Sequence, residues 1–162
     1  MAHEPESSSQ LETDASTEAD VIAAPDLVLT LPARAENVAV VRHAFGGLGD
    51  ALDIEDQILA DVKLAVTEAC TNVVVHAYPD GDGPMEVAAG VRDGRLMIAV
   101  RDDGRGMLPR PDSPGLGLGL PLIATLADSL ELGTGEAEET EVRMTFALTA
   151  ADSVSLDDGQ DL

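Results

Sequence analysis

Apolar positions along the middle of the chain recur with two different periods. DLVLTLPA (Asp26–Ala33) alternates apolar and polar residues and predicts a strand. ARAENVAVVRHAFGGLGDAL follows with Val38, Val41 and Phe45 along one helical face, and the Gly46-Gly47 pair is expected to end or fray that helix. In DIEDQILADVKLAVTEACTNVVVHAY, Ile58, Val62, Ala65, Ala69 and Val73 stand at helical spacing. Asp53 is placed as its N-cap, Asp56 in its first turn, and Tyr78-Pro79-Asp80-Gly81 closes it. MEVAAGVRDGRLMIAVRDDG reads as a hairpin, two alternating strands about an Arg92-Asp93-Gly94-Arg95 turn. A helix over GLPLIATLADSLEL, opened by Gly115–Gly119, and a last strand over TEVRMTFAL complete the order β, α, α, β, β, α, β. That order predicts an α/β (α+β) two-layer sandwich, a mostly antiparallel sheet with helices on one face.

Composition adds the ends and narrows the partners. Residues 1–25 are rich in Ser, Thr, Glu and Asp, carry no Lys or Arg, and read as a flexible acidic tail; residues 150–162 read the same way. The ordered domain is therefore expected over 26–149, within a chain of 162 residues. With a net charge of −22, two Phe, one Tyr and no Trp, neither nucleic acid nor an anionic membrane surface is an expected partner. No apolar run reaches the roughly 18 residues of a membrane span, and the N-terminus lacks the basic and apolar regions of a secretory signal. The single cysteine, Cys70, forms no internal disulfide and is expected as a small buried apolar residue. These features suggest a cytoplasmic protein, and the high Arg-to-Lys ratio suggests a GC-rich bacterial genome.

Three segments carry candidate chemistry. Glu68 and Asn72 are i and i+4 on the second helix and share a face. An Asn amide oxygen can coordinate Mg²⁺, and a Glu one turn earlier can orient or deprotonate a nucleophile beside it. Asp102-Asp103-Gly104-Arg105-Gly106 follows the apolar strand LMIAV: a carboxylate at a strand end can accept a hydrogen bond from an exocyclic amine such as that of adenine, and the glycines let backbone approach a flat base. Gly115-Leu116-Gly117-Leu118-Gly119-Leu120 exposes backbone N–H groups at a helix start, a cradle for phosphate. Singly, each has an ordinary reading: solvated helix residues, an Asp-Gly turn, a helix-entry loop. Neither a Rossmann nor a Walker fingerprint is matched, and the only lysine, Lys63, lies inside a helix. His76 reads as a structural or pocket-edge histidine.

In this order the segments resemble the N, G1 and G2 boxes of the GHKL ATPase superfamily, whose ATP-binding fold is the Bergerat type. TEACTNVVVHAYP resembles most closely the anti-sigma-factor serine kinases of the RsbW type, with their Glu-Ala-x-x-Asn run followed by His-Ala-Tyr, and the resemblance covers about Asp26 to Leu148. It implies ATP and Mg²⁺ as cofactors: Asn72 on the metal, Glu68 as general base toward a protein serine hydroxyl, and Asp102 on the adenine amine with Gly104 and Gly106 shaping the pocket. By the same resemblance Gly115, Gly117 and Gly119 contact the phosphates, and Thr140 supports the adenine site through a hydroxyl or a water. The implied function is phosphorylation of an anti-sigma-factor antagonist and sequestration of an RNA polymerase sigma factor, by a homodimer. The alternatives are a nucleotide-binding partner-switch regulator without kinase activity and a detached histidine-kinase-type ATPase domain. The sequence departs from the family in its short lid, Met107–Pro114, which carries Pro109, Pro111 and Pro114. Arg105 and Arg110 are the candidate cations near the phosphates.

Overall fold

The computed structural model describes residues 22, 24–104, 119–134 and 139–149; apart from Ile22, Ala24 and Pro25, the expected acidic tails lie outside them. The elements are β1 (Leu27–Pro32), α1 (Ala35–Ala51), α2 (Asp56–Asn72) continued by a π-helical turn (Val73–Ala77), β2 (Pro84–Arg92), β3 (Arg95–Asp102), α3 (Gly119–Leu126), β4 (Ser129–Thr134) and β5 (Thr140–Ala147). The five strands form one sheet in the order β1-β2-β3-β5-β4, antiparallel at every pairing. Helices pack on one face, as the alternation of the strands requires. Met85 and Val87 of β2, Leu96, Ile98 and Val100 of β3, and Val142, Met144 and Phe146 of β5 point into a core shared with Val41 and Phe45 of α1, Val62, Val66 and Ala69 of α2, and Ile123 of α3. No helix among the described residues is long and apolar enough to cross a membrane.

Register is set from both ends of the sheet. The β2–β3 connection is a two-residue turn with Asp93 at φ 51° and Gly94 at φ 70°, the left-handed pair a tight hairpin needs. On the face away from the helices, Glu86, Arg101 and Glu141 stand opposite one another on β2, β3 and β5. Arg101 binds Glu86 at 2.6 Å and Glu141 at 2.5 Å; Arg143 binds Glu141 at 2.5 Å and lies 3.6 Å from Glu131 of β4. Partly exposed pairs of this kind contribute little each. A one-residue slip would nonetheless break the ladder and turn the apolar set of a strand toward water.

Three local expectations are corrected. Helix α1 does not end or fray at Gly46-Gly47 but runs on to Ala51. A helical glycine costs about 1 kcal/mol, whereas burying a side chain such as Phe45 gains about 1.5–3 kcal/mol, so packing against α2 carries the helix through. Gly49 is part of that packing, since a methyl there would lie 2.6 Å from both terminal carbons of Leu59. Asp53 is not the N-cap of α2. It adopts φ 52° and ends α1 as a Schellman turn, with Ile54 N–H donating to Gly49 O at 3.0 Å and Asp53 N–H to Asp50 O at 3.4 Å. Asp56 does occupy the first turn of α2, beside the positive end of the helix dipole.

The third correction concerns GLPLIATLADSLEL, which is a helix only as far as Leu126; Ser129–Thr134 forms the extra strand β4. Asp128 makes the change of direction. Its backbone N–H donates to Thr145 O at 2.9 Å and its carboxylate accepts from Ala147 N–H at 2.5 Å, so the chain is tied to β5 where another helical turn would begin. Leu130 and Leu132 then pair with Met144 and Val142, Leu130 packed against the core and Leu132 exposed at the sheet edge.

The α1 glycines provide a test of this balance. Nothing lies within 4 Å of a methyl placed on Gly47. Gly47→Ala is therefore expected to stabilise the fold by about 0.5–1 kcal/mol in urea unfolding, while Gly49→Ala, which must displace Leu59, gains less or loses. Loss of stability in Gly47→Ala would mean that α1 is interrupted at the pair.

Candidate functional site

Helix α2 and its π-helical extension form one wall of the site. The apolar stripe Val62, Val66, Ala69, Val73 holds α2 on the sheet and turns Glu68 and Asn72, both half-buried, along its flank on adjacent turns. Beside Asn72 begins α3. A methyl on Gly119 would lie 2.9 Å from Asn72 Nδ2 and 3.0 Å from Oδ1, so the glycine lets the helix start press directly on the amide. The α-helix then widens into the π-helical turn Val73–Ala77, a rare geometry that concentrates at functional sites.

At the far end of that turn the chain meets β3. A methyl on Gly104 would lie 2.1 Å from Ala77 O and 2.6 Å from its carbonyl carbon. This is backbone against backbone, which no rotamer change relieves. The next residue, Tyr78, donates its phenol proton to Pro84 O at 2.5 Å and accepts Asp103 N–H at 2.9 Å. Its ring passes over Gly83, where a methyl would lie 2.0 Å from Tyr78 Cε1. Burial, chiefly, pushes the phenol above its ordinary pKa; Asp102 and Asp103 push the same way, and the Asp103 N–H pulls it down. The hydroxyl therefore stays protonated at neutral pH and keeps donating.

Asp102 is the last residue of β3 and is only 2% exposed. It stands between Met85 of β2 and Thr140 of β5 in the sheet register. Its Oδ1 accepts Gly104 N–H at 3.0 Å, which folds the chain back over the carboxylate. Burying a carboxylate is costly without such partners. Two oxygens have room for more than one donor, so the residue is suited to receive an N–H from a flat base. Thr140, half-buried at the start of β5, is directly opposite.

The structure brings Asn72 against Gly119, with Glu68 one turn earlier on α2, and sets Asp102, Gly104 and Thr140 together at the end of the sheet. Gly106, Gly115 and Gly117 lie outside the described residues, as do Arg105, Arg110 and the Met107–Pro114 lid. The sequence reading gave no role to Ala77, Tyr78 or Gly83, although the chain's one tyrosine, placed just before Pro79, was a signal. Cys70 is fully buried on the opposite side of α2, its thiol pushed up to about 12 by desolvation, which leaves it unreactive. A cleft of about 530 Å³ at the other end of the sheet, lined by Asp61, Asp93, Arg95 and Asp128 over Ile58 and Phe146, collects none of the motif residues.

Comparison with known proteins agrees with this geometry. The family model for the histidine kinase-like ATPase domain matches residues 31–146. The serine-protein kinase RsbW of Bacillus thuringiensis (strain Al Hakam) is 33% identical over 119 residues, covering 64% of this chain and 74% of that protein. The serine-protein kinase RsbW of Bacillus mycoides (strain KBAB4) is similar to the same extent, 33% over 119 residues. Among solved structures, the RsbU and RsbW domains of a Mycobacterium tuberculosis protein superpose with a TM-score of 0.62 at 25% identity over 75% of this chain, which spans 31% of that longer one. The chain belongs to the histidine kinase-like ATPase family of the GHKL superfamily, as a member of the RsbW type.

Proposed function

We propose that this protein is an ATP-dependent serine/threonine protein kinase that phosphorylates an anti-sigma-factor antagonist and sequesters an RNA polymerase sigma factor, acting in the cytoplasm as a homodimer. The observation that carries the catalytic part is the double contact of one helix: Asn72 against Gly119 at one end of the π-helical turn, and Ala77 against Gly104 at the other. The candidate phosphate end and the candidate base end of the groove are thereby held at a fixed separation. The RsbW relatives, named as serine-protein kinases, support the choice of a protein serine as acceptor.

The residues present fit Mg²⁺ and ATP. At Gly119 the chain leaves the space a methyl would fill beside an amide oxygen, and amide oxygen is a hard ligand suited to Mg²⁺. Among the described residues no group of three or more His, Cys, Asp or Glu could hold a metal ion. Asn72 would therefore share the cation with phosphate oxygens and water, the usual habit of Mg²⁺. Bound Mg²⁺–ATP supplies the γ-phosphoryl group and the charge neutralisation that in-line transfer needs. Asp102 would accept the adenine amine, with Thr140 beside it; Gly104 lets the turn close against the Ala77 backbone, and Gly106 would leave room for the base. Glu68 takes the proton of the incoming serine hydroxyl, and Gly115, Gly117 and Gly119 present backbone N–H groups to the phosphates.

Two outcomes follow. With labelled ATP, Mg²⁺ and a panel of antagonist proteins, wild type is expected to label a serine. Glu68→Gln should lower the rate by about 10²-fold or more with ADP affinity within about twofold, as for loss of a general base. Asn72→Ala should abolish the Mg²⁺ dependence of nucleotide binding. A wild type that binds ATP and labels no candidate would favour the partner-switch reading without catalysis. Separately, Asp102→Asn adds a donor where the adenine amine needs an acceptor. ADP binding by calorimetry is expected to weaken roughly tenfold or more, the scale of a lost hydrogen bond to a charged group. Unchanged affinity would remove Asp102 from the base site.

A further inference from the structure

In the His76-Ala77-Tyr78 run, Ala77 and Tyr78 both make close contacts with the turn that follows β3. Ala77 offers backbone that only glycine at 104 can meet, 2.1 Å from where a methyl would stand. Tyr78 takes the N–H of Asp103 at 2.9 Å and gives its own proton to Pro84 O at 2.5 Å. Three successive residues, Asp102, Asp103 and Gly104, are thus each fixed by hydrogen bonding or contact. Asp102 Oδ1 holds Gly104 N–H at 3.0 Å, Tyr78 holds Asp103 N–H, and Ala77 meets Gly104. The turn has no regular ladder of its own past β3, so its shape depends on these ties.

We propose that Tyr78 is a positioning residue for base recognition: its hydroxyl clasps the Asp102-Asp103-Gly104 turn to the end of α2 and so sets the carboxylate that reads adenine. The inference rests on the reading of Asp102 as the adenine acceptor and deepens it. The phenol is suited to the task because it works as donor and acceptor at once. It bridges three segments that are distant in sequence: the end of the π-helical turn, the start of β2 and the end of β3. Half-buried and held in its protonated form, it keeps donating to Pro84 O while its oxygen receives Asp103 N–H. Gly83 completes the arrangement by leaving space for the ring. The clasp stands at the end of the same continuous helical segment that carries Asn72.

The substitution Tyr78→Phe keeps the ring and removes both hydrogen bonds. Gly83→Ala keeps the hydroxyl and pushes the ring from its seat. ADP and GDP binding to the full chain would be measured by calorimetry for wild type and both variants, with circular dichroism confirming the fold. Both variants are expected to lose ADP affinity by roughly 3- to 10-fold, the size of a hydrogen bond, with GDP affinity little changed, so that the preference for adenine narrows. If both retain the wild-type preference, or if ADP and GDP weaken equally, the clasp does not position the base and the proposal is overturned. If wild type itself binds neither nucleotide, the nucleotide reading fails first and this inference falls with it; wild type binding ADP while the variants match it would sink the clasp alone.

Discussion

The groove depends on the close approach of two backbones, Ala77 and Gly104. Gly104 has no side chain to fold away, and the carbonyl of Ala77 occupies the place where one would begin. The contact brings the end of the α2 extension onto the end of β3, and so joins the helix layer to the sheet at the point where Asp102 is buried. The π-helical turn advances the chain differently from α-helix, and it sets where Ala77 and Tyr78 fall after Asn72. The apolar stripe of α2 fixes the rod on the sheet, the hairpin and ion-pair ladder fix the sheet register, and the two glycine contacts convert that rigidity into a site of fixed width.

Such rigidity is what a highly acidic protein needs in order to hold a nucleotide. A net charge of −22 repels phosphates at long range, but that repulsion is screened over about 8–10 Å at ordinary salt. Within that distance local groups decide, and the described residues place one buried carboxylate, Asp102, at the end of β3. Arg34, Arg101 and Arg143 are engaged in ion pairs with Asp82, Glu86, Glu131 and Glu141 rather than gathered at the groove.

The parts of the fold written in short stretches were legible in the sequence. The Asp93-Gly94 turn, the alternation of β1, β2, β3 and β5, and the order of the three candidate boxes all depend on neighbours in the chain. What was misread depended on partners elsewhere. Leu120, Ile123, Leu130 and Leu132 suit a helix until Asp128 is known to bind β5, some nineteen residues on. Gly46-Gly47 reads as a break until Phe45 and Gly49 are seen against α2. An aspartate between two helices can cap either one, and Asp53 ends the first. In the sequence Tyr78 is part of the turn that closes the helix and of the His-Ala-Tyr run; its contacts are not legible there because its partners, Pro84 and Asp103, lie on other segments. The spacing of Glu68 and Asn72 predicts a shared helix face, and the structure has both half-buried on α2; their roles come from the resemblance of the three segments taken together.

On the proposed reading, one helix and its π-helical end carry both the phosphate side and the base side of a nucleotide site. The decisive measurement is the change in backbone amide NMR shifts on titration with Mg²⁺–ADP. The largest changes are expected at Asn72, Tyr78, Asp103, Gly104 and Gly119, with β1 and β4 nearly silent. Changes centred instead on the cleft around Asp61, Asp93 and Asp128, or no saturable change at all, would contradict it.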